Sequence, residues 1–125
     1  MRGSGISRGG VLVLVAAVML LAAHLGLSRI LGAHPWWAVK VVYIGVAIGV
    51  GLSLLVHRWR GGRAVKIALW GGLLAVAVAV TVVGKAQFVA SYGDDHLAGR
   101  MWFLGWIASA AFLYAALVEG AAGAR

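Results

Sequence analysis

The sequence predicts an all-α integral membrane protein, a bundle of four transmembrane helices running up-down-up-down with both termini in the cytoplasm. Three observations carry that expectation. Of the 125 residues, 63% are hydrophobic and 11% charged, with a mean hydropathy of +0.99, whereas a soluble domain of this size needs far more polar surface. Four long uncharged runs alternate with short segments holding charge, glycine or proline, and a helix crosses the hydrocarbon in ~20 residues. Placing those runs across a bilayer leaves the basic residues unequally divided between its two sides.

The first run extends from Gly9 to Ser28, with Arg2 and Arg8 before it. Such a start resembles a secretory leader, but the apolar pattern continues to Ala33, longer than a leader's apolar region, so a retained helix over 9–32 is expected. The second run, Val41 to Val56, becomes long enough when Trp37 to Lys40 are added, giving a helix over 37–57 whose first residues sit in the headgroup layer. The third, Ile67 to Gly84, gives a helix over 65–90. Ala and Val alternate from Ala75 to Val83, but the other runs lack the alternation of a membrane strand, and small Ala suits a packed helix. The fourth, Met101 to Val118, gives a helix over 100–119. Turn residues separate them: Pro35 in the first connection, Gly61 and Gly62 in the second, Gly93 and Gly99 in the third. Connections this short predict that successive helices are antiparallel neighbours within one domain, 1–125.

With the N-terminus inside, the inner side collects Arg2, Arg8, Arg58, Arg60, Arg63, Lys66 and Arg125, leaving Arg29, Lys40, Lys85 and Arg100 outside. That asymmetry sets the expected orientation and places the protein in a bacterial inner membrane. The net charge of +8 reads as lipid-facing charge at helix ends, with Arg58, Arg60, Arg63 and Lys66 drawing anionic lipid at ~1 kcal/mol per cation. Nucleic-acid binding would need a soluble basic face. Trp36, Trp37, Trp59 and Trp102 fall where an interfacial aromatic belt is expected.

Each helix carries small residues four apart: Ala22 and Gly26, Gly45 and Gly49, Gly71 and Ala75, Gly105 and Ser109. Such pairs let backbones approach closely where lipid gives no hydrophobic drive. They serve either to pack the four helices or to dock other membrane subunits or a second copy.

His24 lies well inside the first helix, with Ser28 one turn on along the same face. A neutral imidazole can ligate a haem iron or chlorin magnesium while its other nitrogen finds an acceptor. His34, His57 and His96 lie at other depths, so no second histidine can complete a bis-histidine haem in one chain. Lys40 and Tyr43 share a stripe on the second helix, and Thr81 and Lys85 share one on the third. If these stripes face each other, they form an outward-opening pocket for a quinone head, a haem propionate or a small anion. His34, Asp94 and His96 are metal-ligand types in the outer loops, though adjacent residues in a glycine-rich loop rarely converge on one ion. Without cysteine there is no thiol redox or iron-sulfur chemistry. No carboxylate is expected within the spans, with Glu119 at the inner end of the last, which makes proton coupling hard to build.

The leading expectation is therefore a small non-catalytic subunit packing against a larger bioenergetic or pigment-bearing membrane complex. Two others stand beside it: a haem-, chlorin- or quinone-binding protein using His24, and an oligomeric transporter or channel for a small solute or ion, its path along Lys40 and Lys85.

Overall fold

The computed structural model describes residues 7–59 and 61–123, and among them every regular element is helical. In chain order these are α1 (Arg8–His24), α2 (Leu27–Ile30), α3 (Ala38–His57), α4 (Arg63–Ala90) and α5 (His96–Gly123). α3, α4 and α5 are long and apolar enough to cross a membrane, and α1 is a shorter apolar helix.

The first apolar run is not one helix over 9–32. Ser7 caps α1 by accepting from the Gly10 N–H at 3.0 Å, but the helix stops where Gly26 adopts φ 95°. The N–H groups of Leu25 and Gly26 close back on the carbonyls of Leu21 and Ala23, and the left-handed turn redirects the chain into α2. A second such glycine, Gly32 at φ 113°, ends α2. At the other end of the molecule, α5 begins earlier than residue 100. There Asp95 accepts the Ala98 N–H on Oδ1 at 3.0 Å and places a negative charge at the helix N-terminus.

Packing fixes the relative directions of the helices. Gly84 of α4 abuts Ala98 and Trp102 of α5, and Gly105 abuts Thr81, so α4 and α5 are antiparallel. Gly45 meets Ile107 and Ala110 while Gly49 meets Ala111 and Tyr114, so α3 and α5 are parallel. α1 runs against both: Tyr114 donates to the Leu12 carbonyl at 2.7 Å, and Arg8 reaches the Ser53 carbonyl at 3.5 Å. α1, α3, α4 and α5 thus alternate in direction.

They do not, however, all pack on their sequence neighbours. α5 is central, touching α1, α3 and α4, while α4 rests essentially on α5 alone and α3 and α4 scarcely meet. Close approach of backbones is the main attraction between helices in lipid, and both α3 and α4 direct their close-contact glycines at α5. The interior is built from Val11, Val15, Val41, Val42, Val46, Ile107, Tyr114 and Val118, contributed by α1, α3 and α5. Gly71 and Ala75, by contrast, are exposed on α4.

Candidate functional site: a cleft between the first and fourth helices

Because α4 leans on α5 while α1 leans on α3 and α5, a gap is left between α1 and α4. It forms a cavity of about 430 Å³. Met19, Ala22 and Ala23 of α1 and Leu27 of α2 make one wall, and Leu74, Val78 and Val82 of α4 make the other. Trp102, Trp106, Ala110 and Leu113 of α5 form the floor.

Polar side chains are few. Ser28, Thr81, Ser109 and Lys85 line the cleft, and two of the hydroxyls already have backbone partners. Ser28 donates to the Ala38 carbonyl at 2.7 Å. Thr81 donates to the Ala77 carbonyl at 2.7 Å, the usual bond of a helical threonine to the preceding turn, and lies 3.4 Å from the Ser109 hydroxyl. Lys85 differs from these. It is exposed, its ammonium sits 5.7 Å from the centre of the Trp102 ring, and no ion pair involves it among the described residues.

The end of the cleft at Lys85 is bordered by a small knot of contacts. Trp102 donates its indole N–H to the Gly32 carbonyl at 3.2 Å, and a Cβ on Gly32 would stand 3.0 Å from Lys85 Nζ. Trp102 also packs edge-on against Trp37 and His34, with centroids 5.1 and 5.8 Å away. These aromatics hold the α2–α3 turn over the start of α5.

The residues singled out from the sequence fall into separate groups. Ser28, Thr81 and Lys85 line the cleft. His24 and Tyr43 share a hydrogen bond of 2.8 Å between Nε2 and the phenol oxygen, outside the cleft and exposed, and Lys40 is exposed on α3. The expected pocket between the Lys40–Tyr43 and Thr81–Lys85 stripes does not form, because α4 packs on α5 rather than on α3. His34 is held in the aromatic knot, with Nδ1 accepting the Trp36 N–H at 3.1 Å, and Asp94 and His96 are exposed. No group of three or more His, Cys, Asp or Glu among the described residues is placed to hold a metal. Arg58 and Arg63 are exposed, with Arg63 donating to the Gly120 carbonyl at 3.3 Å. Lys66 is buried, contrary to its expected place among lipid-facing cations, because α4 turns it inward. Arg60 lies outside the described residues.

Two features were not foreseen. The cleft itself depends on which helices fail to touch, and its Met19, Trp106 and Leu113 lining reads in sequence as ordinary apolar surface. At the other end, Glu119 is buried inside α5 and pairs with Arg8 at 3.6 Å. The sequence signal was available: if α1 starts and α5 ends on the same side, as the alternating spans predict, the first basic residue of α1 and the last acid of α5 share a depth. Comparison with protein-family models, with curated proteins and with solved structures finds no match to this chain.

Proposed function

We propose that this protein is a small non-catalytic subunit of a bacterial inner membrane that seats a lipophilic molecule in the α1–α4 cleft and docks against a larger membrane complex. The cleft is the observation that carries the reading. Its volume of about 430 Å³ falls within the ~300–1,000 Å³ of small-molecule sites, and its lining has the mostly apolar character of such sites. Among the described residues no carboxylate or imidazole lines it, so that lining offers neither of the groups most used for general acid–base work. With both termini in the cytoplasm, Lys85 marks the outer end of the cleft, and Arg58, Arg63 and the Arg8–Glu119 pair mark the inner side. Exposed apolar residues on α4, such as Val76 at 62% and Val83 at 53%, supply surface for lipid or for neighbouring subunits.

Purification from the native membrane in mild detergent, followed by solvent extraction, tests this proposal. Co-elution with larger subunits and release of a lipophile are expected. A lone monomer with nothing extractable would overturn it.

A second reading keeps His24 as an axial ligand for haem or a chlorin, or as a contact for a quinone. It is supported by the exposure of His24 and by its bond to Tyr43, a partner that would orient the ring. A visible absorption band lost in His24→Ala would favour it over the cleft.

A further inference from the structure

The dimensions and charge of the cleft point to a particular occupant. On α4 its lining runs from Leu74 to Lys85, and on α5 from Trp102 to Leu113, each ~16 Å at ~1.5 Å of rise per residue. The hydrocarbon core is ~30 Å thick, so the cleft is as long as one leaflet. Its Lys85 end carries a cation with no ion-pair partner among the described residues, beside the indole of Trp102.

The chain supplies little to neutralise that cation. It has three acids in all: Glu119 is paired with Arg8, Asp95 caps α5, and Asp94 forms no ion pair with Lys85 or any other cation among the described residues. Arg29, Lys40 and Arg100 add further positive charge to the connections and helix ends on the same side. A site with an apolar channel one leaflet long and an uncompensated ammonium at its interfacial end is complementary to a membrane lipid with a net negative headgroup.

Resting on the reading of the cleft as a lipophile site, we infer that its occupant is an anionic phospholipid of the leaflet at the Lys85 end. One acyl chain lies between α1 and α4, and the phosphate lies against Lys85. A neutral isoprenoid quinone fits less well, because the cleft ends at Leu74 and Leu113 after one leaflet and offers an ammonium to a head that carries no charge.

The test is retention of phosphatidylglycerol and phosphatidylcholine with identical acyl chains, offered together to the full chain in mixed micelles and read by native mass spectrometry. Wild-type protein is expected to retain the anionic lipid ~5-fold or more over the zwitterionic one. Lys85→Gln should level that preference while still retaining lipid, and Lys85→Arg should keep it. Val78→Trp and Val82→Trp, placed on the exposed wall of α4 and away from the α5 seam, should each lose both lipids. Equal retention by the wild type, or an unchanged preference in Lys85→Gln, overturns the headgroup assignment and leaves the cleft as a site for some other lipophile. Full retention of both lipids in the two Trp variants overturns the cleft itself, and the headgroup assignment with it.

Discussion

Gly32 has φ 113° and gives its carbonyl to Trp102, so one residue both turns the chain and ties α2 to α5. An L-residue forced into that region costs ~1–2 kcal/mol. Gly32→Ala is therefore expected to lower stability by about that amount in a detergent unfolding titration followed by tryptophan fluorescence. Gly62→Ala should leave stability nearly unchanged, since Gly62 has φ −66° and open space around it. The Arg8–Glu119 pair makes a different kind of contribution. Its side chains are 20% and 10% exposed, and removing one member strands the other charge, whereas removing both relieves the desolvation. Arg8→Met and Glu119→Leu should each destabilise more than the double variant does, with a coupling of ~1 kcal/mol or more in a double-mutant cycle. Had Glu119 been an exposed terminal acid, the coupling would vanish.

Between elements, the α4–α5 seam is sensitive to a single methyl group. A Cβ at Gly84 would stand 2.7 Å from the Trp102 nitrogen and 2.9 Å from the Ala98 carbonyl oxygen, backbone atoms that cannot rotate away. Gly84→Val should lower the thermal midpoint, at a cost on the order of 1–3 kcal/mol or above, and expose the 91–95 connection to protease. Gly71→Val, with nothing within 4 Å, should do neither. The apolar runs and the small-residue spacing that includes Gly45, Gly49 and Gly105 were legible in the sequence, because both are local properties, but whether those residues pack the helices or dock a partner was not. The break at Gly26 was not legible. In an apolar run a glycine four residues after Ala22 looks the same whether it admits a neighbouring helix or adopts a positive φ. Nor could the separation of α3 from α4 be read, since small residues occur on every helix and their pairing is decided in three dimensions.

For the whole molecule, orientation determines which leaflet the cleft serves. Cysteines placed at Gly62 and Asp94, both exposed, can be labelled on intact cells with a membrane-impermeant thiol reagent, as the chain has no native cysteine. Labelling at Asp94→Cys and protection at Gly62→Cys are expected from the cluster of basic residues in the 58–66 segment. The reverse pattern would move Lys85 to the cytoplasmic leaflet. Thr81 and Lys85 were readable in the sequence as one stripe, and they line the cleft together with Ser28. Lys40 and Tyr43 fall opposite that stripe only if helices joined by a short connection also pack together, and α3 and α4 scarcely meet.

The central place of α5 also bears on how the protein is made. Of the described helices, the last to be synthesised is the one on which α3 and α4 both pack and to which α1 is tied through Tyr114 and Glu119. Until it has been inserted, α4 has almost no partner, and α1 and α3 have only each other. Assembly of these helices must wait for α5, although α3 and α4 can enter the membrane as they emerge. A chain stopped after α4 would leave α1, α3 and α4 poorly associated, a natural target for quality-control proteases.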